Sequence, residues 1–248
     1  MNDIKGKLSV VVASYNQPAY LKQTIESIVE QTYHPFELII VDNSSTNPET
    51  LHYIQQLSFP GNERIQLKKL TTAPSGRVTR TWNAGIRAAT GEYVAILNND
   101  ITFSKHWDMS LITALDDSEV WLANPYQTDD GESTPYERNT KAGDFNIRGA
   151  CFMFRKNLVK TTGYLPDQLK IWFQDAWLAW TITQKYGKRS VFVPQSVIYH
   201  AGSKSLMDFD EKTKLLWYII RGDAYYYHIL TRENIDKYLE LCEARTEK

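Results

Sequence analysis

The sequence predicts an α/β fold built on a mostly parallel central sheet flanked by helices. Three observations predict it. Apolar, β-rich runs alternate with stretches of helical period through residue 100, which is the rhythm of βαβ units. Two of those runs close on an acid: Asp42 in FELIIVDNSS and Asp100 in GEYVAILNND. A helix-like stretch lies between them, so both carboxylates fall on one edge of the sheet, the edge where α/β proteins hold ligands. No phosphate-cradling glycine loop accompanies them. The pair therefore suggests one acid for the sugar and base of a nucleotide, and one for a divalent metal on its diphosphate.

The elements follow in order. Leu8 to Ala13 reads as a strand ending in the turn Ser-Tyr-Asn-Gln-Pro, and Tyr20 to Glu30 as a helix with Leu21, Ile25, Ile28 and Val29 on one face. Leu38 to Val41 is a second strand. The polar run Asn43 to Pro48 caps a helix over roughly Pro48 to Leu57. Ile65 to Leu70 is a third strand. Val78, Trp82, Gly85, Ile86 and Ala89 mark a helix, and Tyr93 to Leu97 a fourth strand. The pattern then changes: a helix over Trp107 to Leu115, a short strand Val120 to Asn124, and a polar, mobile excursion over Tyr126 to Asp144. A strand over Ala150 to Phe154, a helix over Trp177 to Tyr186 and two short strands around Pro194 come next, with one or two helices between Asp208 and Glu243. With no internal repeat or low-complexity linker, the reading is one domain. Residues 1–100 form the nucleotide half, 101–205 the acceptor and catalytic half, and 206–248 a helical extension.

Composition excludes several classes. At 248 residues the chain can bury one large core. A formal charge of -1 gives no bulk reason to expect nucleic acid as a partner. Cys151 and Cys242 lie far apart without a C-x-x-C, so zinc sites and disulfide frameworks are not expected and a reducing, cytoplasmic setting fits. The apolar run near the N-terminus is too short for a signal sequence, and no stretch approaches the roughly 18 apolar residues of a transmembrane span. A dinucleotide-binding oxidoreductase would need G-x-G-x-x-G after the first strand, where this chain has Ala-Ser-Tyr-Asn-Gln-Pro. A sugar-nucleotide pyrophosphorylase would need a glycine-rich basic loop there.

The stretches SVVVASYNQPAYLKQTIESIVEQTYHPFELIIVDNSST, WNAGIRAATGEYVAILNND, RGACFMFRKNLVKTTGY, FQDAW and YHAGSKS, in that order, resemble the GT-A family 2 glycosyltransferases over nearly the whole chain. The VDNSS and LNND wording looks most like the branch that includes rhamnosyltransferases. The resemblance implies the GT-A version of the fold, with a smaller acceptor-side region and a helical C-terminus. It also implies a metal-dependent, inverting transfer from a UDP- or dTDP-linked sugar to a glycan or glycolipid-type hydroxyl, with Mn²⁺ or Mg²⁺ as cofactor. Three positions depart from the family pattern. Ala13 replaces a proline, Asn98-Asn99-Asp100 replaces Asp-x-Asp, and Gln174-Asp175 replaces Glu-Asp.

Residue by residue, Asp42 can accept hydrogen bonds from a base N3–H or ribose hydroxyls, or can simply be a turn aspartate. Tyr15 can stack on the base beside the Ala13 backbone. Asp100 is the expected metal ligand, with Asn98 and Asn99 as uncharged nucleotide contacts, and His200 completes the metal shell as the resemblance implies. Arg77 suits a phosphate, as does Arg80, although a solvated helix face is equally consistent. Asn83 matches a family position near the nucleotide. Asp175, expected just before a helix, is the general base or an N-cap. Trp172, Phe173 and Gln174 are expected on the acceptor side. The aromatic stretch Leu215 to Leu230 fits core packing or a homodimer contact ahead of peripheral contact with the inner face of a membrane. The alternative to an enzyme is an inactive relative that binds nucleotide sugars or glycans as an interaction protein.

Overall fold

In the computed structural model the structure describes residues 8–74, 77–128, 149–167, 169 and 174–202. One eight-stranded sheet runs through it. The strands are β1 (Leu8–Ser14), β2 (Phe36–Asp42), β3 (Ile65–Thr71), β4 (Tyr93–Leu97), β5 (Ile101–Phe103), β6 (Val120–Thr128), β7 (Cys151–Arg155) and β8 (Arg189–His200). Their spatial order is β3-β2-β1-β4-β7-β6-β8-β5. The first four are parallel, so the chain winds outward from β1 to β3 and then returns to place β4 on the other side of β1. That reversal is the topological switch point at which open α/β sheets leave a crevice. Beyond β4, β7 is antiparallel to both β4 and β6, and β5 is antiparallel to β8.

The helices are α1 (Pro18–Gln31), α2 (Pro48–Gln56), α3 (Val78–Ala88), α4 (Trp107–Leu115), α5 (Leu158–Thr162) and α6 (Gln174–Trp180). A π-helical turn, Thr181–Lys185, continues α6. Alternation along the strands splits the core into two layers. Val10, Val12, Leu38, Ile40 and Ala95 pack with Leu21, Ile25 and Ile28 of α1 and with Trp107 and Leu111 of α4. Val11, Ile39, Val41 and Ile96 face the other way, against Trp82 and Ile86 of α3 and Leu178 of α6. β1, β2 and β4 are buried along their whole length, which explains their continuous apolar runs. Asn47 caps α2, its side-chain oxygen accepting the backbone N–H groups of Glu49 and Thr50 at 2.8 and 3.1 Å.

Several expectations change. Ile101–Phe103 forms a strand too short to show a sequence period. α5 was not anticipated either. β6 runs on to Thr128, four residues past the expected end, so the stretch from Tyr126 begins as sheet. Pro194 does not divide two strands. β8 is continuous, and the register steps from Pro125↔Val193 to Tyr126↔Val197, which leaves residues 194–196 in a bulge where a proline needs no ladder donor. The rest of the polar excursion and the region from Asp208 to Glu243 lie outside the described residues. Among those described, no helix is long and apolar enough to cross a membrane.

Glycine 85 lets α3 lie directly on the sheet. A methyl group added there would overlap Val11 Cγ1 and come within 3.2 Å of Val11 Cγ2 and Val41 Cγ2. Both neighbours are fully buried and stiff at χ1, so they have little room to give. The substitution Gly85→Ala removes a helix-interior glycine, a gain of about 0.5–1 kcal/mol, and meets an overpacking cost of about 1–3 kcal/mol. The expected net result is a lower urea midpoint at unchanged slope, and a variant as stable as the parent would contradict this packing.

Candidate active site

The site collects where the carboxyl ends of β1, β2 and β4 come level. Ser14 pairs with Asp42, and Val12 pairs with Leu97. Adjacent strands lie about 4.8 Å apart, so the residues leaving these three strands share one short stretch of edge. Three residues there, Asn16, Gln17 and Ser44, adopt positive φ values of 51°, 56° and 55°.

Uncharged side chains join these exits. The Asn16 side-chain oxygen accepts the backbone N–H groups of Thr46 and Asn47, each at 2.9 Å, and the Asn16 N–H donates to Ser45 Oγ at 2.8 Å. Ser45 in turn donates its hydroxyl to Asp42 Oδ1 at 2.5 Å and its N–H to Asp42 Oδ2 at 3.1 Å. Asp42 is 3% exposed, so the turn role proposed for it is realised. A carboxylate has about four lone-pair sites, so the Ser45 contacts leave Asp42 some acceptor capacity. On the other side of β1, Asn99 Nδ2 reaches the Asn16 carbonyl at 3.5 Å. Ala13 is buried at the end of β1, and Tyr15 is half-buried beyond it.

Asp100 meets His200 through the strand that periodicity did not reveal. β5 pairs antiparallel with β8 and sets Ile101 opposite His200. The Thr24 hydroxyl of α1 donates to the Ile101 carbonyl at 2.8 Å and accepts its N–H at 3.1 Å, which fixes the start of β5. The Ala201 N–H donates to the Asp100 carbonyl at 2.9 Å. His200 Nε2 then lies 3.2 Å from Asp100 Oδ1 and is buried without a hydrogen-bond partner, while Nδ1 is 3.1 Å from the Gln127 amide nitrogen. A carboxylate oxygen and an otherwise unsatisfied imidazole nitrogen at that separation fit a divalent cation such as Mn²⁺. Among the described residues no group of three or more His, Cys, Asp or Glu side chains could hold a metal. The pair would therefore need oxygens from a ligand or water to fill the shell.

Asp175 arrives from α6, beyond β7 in the chain. The Asn98 N–H donates to the Ala150 carbonyl at 2.9 Å, tying the end of β4 to the start of β7. Gly149, one residue earlier, donates its N–H to the Asp175 carboxyl, and a side chain at Gly149 would press within 3.1 Å of that group. Asp175 lies within the first turn of α6, not before it. The residue is half-buried, and desolvation of its carboxyl raises its pKa from 3.8 to about 6, outweighing the backbone N–H groups of Ala176, Asp175 and Gly149 that favour the ionised form. Such a value suits proton uptake near neutral pH. Cys151, two residues beyond Gly149, is a buried free thiol pushed well above its ordinary pKa, which makes it inert.

The remaining expected residues have other partners. Arg80 Nε and Nη2 each bond Asp167 Oδ2 at 2.8 Å, and Arg77 Nη1 donates to the Asp167 carbonyl at 3.0 Å. Asn83 donates to the Leu165 carbonyl at 2.8 Å and accepts its N–H at 3.1 Å, which engages both ends of the amide. Gln174 is 1% exposed and bonded to Thr79 and Leu169, away from solvent where an acceptor would dock. Trp172 and Phe173 lie outside the described residues. Asn16, Ser45, Gly149 and Gln127 were not anticipated. Only Asn16 carried a signal, as an asparagine in the turn after the first strand, a position that favours positive φ.

A model of the glycosyl transferase family 2 matches residues 9–178. An uncharacterised glycosyltransferase of Nostoc sp. is 34% identical over 114 residues, covering 46% of this chain and 34% of that protein. The chain thus spans about a third of that relative's length. Among solved structures, the mannosyltransferase PcManGT from Pyrobaculum calidifontis in complex with GDP-Man and Mn²⁺ superposes with a TM-score of 0.64 at 18% identity, over 81% of this chain and 58% of that one. GalNAc-T7 with UDP, GalNAc and Mn²⁺ gives 0.62 at 17% identity, over 80% and 44%. At such identity these two show the fold alone, which is of the GT-A type. The family match covers well over half of the chain, from β1 into α6 and across every residue of the edge just described except His200 and Ala201, and so this chain belongs to glycosyl transferase family 2.

Proposed function

We propose that this chain transfers a sugar from a nucleoside diphosphate, UDP- or dTDP-linked, to a hydroxyl of a glycan or glycolipid-type acceptor, with inversion at the anomeric carbon. One observation carries the reading. Asn98 at the end of β4 donates to the Ala150 carbonyl, and the neighbouring Gly149 N–H meets the Asp175 carboxyl, whose pKa is raised to about 6; these contacts support one site shared by Asp175 and the Asp100–His200 pair.

Asp42 accepts from the nucleoside, with Tyr15 and the Ala13 backbone alongside and Asn98 and Asn99 as further polar contacts. Asp100 and His200 would hold Mn²⁺ or Mg²⁺, which when bound neutralises charge growing on the diphosphate. The Asp175 carboxylate takes the proton of the acceptor hydroxyl. The freed oxygen forms its bond to the anomeric carbon while the bond from that carbon to the diphosphate oxygen breaks, its electron pair leaving with the diphosphate. A double displacement with retention would need a carboxylate nucleophile at the anomeric carbon. The residue beside Asp175 is Gln174, which cannot serve as one.

Binding is tested first. Calorimetric titration of UDP and dTDP should show affinity that depends on Mn²⁺ in the parent. The dependence should be lost in Asp100→Ala, with the melting temperature little changed. Metal-dependent affinity that survives the substitution would remove Asp100 from the site. A panel of nucleotide sugars, read by hydrolysis and by melting shift, then identifies the donor. Silence from every donor with Mn²⁺ present would replace transfer by the inactive-relative reading.

Asp175→Asn tests the base. Turnover should fall by about 10²- to 10⁴-fold with nucleotide affinity unchanged, and the product of an α-linked donor should be β-linked by proton NMR. In the parent, turnover should decline as pH drops through about 6, where the carboxylate takes up its proton. Stability gives an independent check. The folded-state pKa of Asp175 exceeds its unfolded value, so the native state holds the proton more tightly and loses stability as pH rises from about 4 to about 6. Relative to the parent, Asp175→Asn should gain stability across that window and no further above it. A flat difference would mean that Asp175 is not desolvated.

A further inference from the structure

Thr79, Gln174 and the Leu169 carbonyl form a closed triangle of hydrogen bonds between α3 and the entry to α6. The Thr79 hydroxyl donates to the Leu169 carbonyl oxygen. Gln174 Nε2 donates to the same carbonyl at 3.1 Å and to Thr79 Oγ1 at 3.2 Å. The three residues are 0%, 1% and 2% exposed for Thr79, Gln174 and Leu169 respectively, so water cannot stand in for a missing partner. The donor count is exact. The single hydroxyl proton of Thr79 goes to Leu169, so Thr79 Oγ1 is available to Gln174 only as an acceptor, and the carbonyl is an acceptor by nature. Position 174 must therefore supply two N–H bonds, which an amide provides and an ionised carboxylate does not.

We propose that Gln174 is a positioning residue for Asp175, and that in this chain the position requires an amide donor. The inference rests on the reading of Asp175 as the base. Gln174 and Asp175 are consecutive in the first turn of α6, so whatever fixes the backbone of one fixes the other. On the far side Asp175 is held by Gly149. The triangle joins α6 to α3, and α3 is packed rigidly on β1 and β2 through Gly85 and Trp82. The carboxylate is thus referenced to the strands whose ends carry Asp42 and Tyr15. A glutamate would set a carboxylate oxygen against the Leu169 carbonyl oxygen in a dry site, at the cost of an unmade bond and a like-charge contact.

The test compares four single variants and one double variant of the full chain with the donor that the panel identifies. Gln174→Glu and Gln174→Met should each lower kcat by about 10- to 100-fold, the scale of a base displaced by about 1 Å. Calorimetry with UDP or dTDP plus Mn²⁺ should still give one site per chain and affinity within about twofold. That retention separates displacement of the base from loss of folded protein. Thr79→Val should reproduce the loss, and Thr79→Ser, which keeps the hydroxyl, should restore near-parental kcat. Combining Thr79→Val with Gln174→Met should cost little more than either alone, as expected for partners in one network. Should Gln174→Met fail to fold, the Thr79→Val and Thr79→Ser pair decides alone. Parental kcat in Gln174→Glu, or equal kcat in Thr79→Val and Thr79→Ser, would overturn the inference. Those results alongside an inactive Asp175→Asn would leave the assignment of the base standing, whereas an active Asp175→Asn would remove both.

Discussion

The parallel register of β2, β1 and β4 is the constraint from which the site follows. These strands are buried along both faces, so sliding one by a single residue would turn every inward side chain outward. Layering of Val10, Leu38 and Ala95 on one face, and of Val11, Ile39 and Ile96 on the other, makes that slip prohibitive. Once the register is held, the ends of the three strands are level, and their polar exits have nowhere to go but one shared edge. Asp42 and Asp100 are not drawn to this edge by partners of opposite charge. They are delivered by the apolar packing beneath them.

On that scaffold the alignment of functional groups relies on neutral side chains. Asn16 and Ser45 join the exits of β1 and β2, Asn99 joins β1 to β4, and Thr24 anchors the strand that places His200 beside Asp100. A buried amide or hydroxyl satisfies backbone groups without the desolvation cost of an ion. The charged groups are consequently few, and one of them, Asp175, titrates near 6 because burial outweighs the N–H groups around it. Elsewhere charge serves the framework. Glu37, buried in the sheet, has its pKa lowered because hydrogen bonds from Lys68, Ser9 and Thr90 overcome its desolvation. Asp108 accepts the backbone N–H groups of Tyr33 and His34 at 2.9 and 3.0 Å and binds the His34 ring, fastening the end of α1 to α4.

Helix α3 emerges as the hub that ties the first strands to residues 165–174. Asn83 holds Leu165, Thr79 holds Leu169 and Gln174, and Arg77 and Arg80 converge on Asp167. The sequence marked Arg77, Arg80 and Asn83 for a nucleotide, and in the structure they brace Leu165 and Asp167. An arginine pair and an asparagine near the start of a helix suit a phosphate, and nothing local distinguishes that use from bracing a segment some eighty to ninety positions away. The partners were invisible because a loop carries no period.

Local pattern was enough for what depends on local chemistry. Continuous apolar runs predicted buried parallel strands, helical spacing predicted α1, α3 and α4, and acids closing the second and fourth strands predicted which edge would carry polar chemistry. What required the folded chain was every pairing at long range. The three-residue strand β5 is too short to show alternation, yet it seats His200 against Asp100. Pro194 reads as a break, yet a bulge absorbs it within β8. Asp175 reads as an ordinary helix-start aspartate, and its raised pKa comes from burial beside Gly149 that no neighbour in sequence supplies. A residue's own chemistry and its neighbours set the element it joins and the end of the strand it leaves, whereas its partners, its solvation and hence its pKa belong to the packing of distant segments.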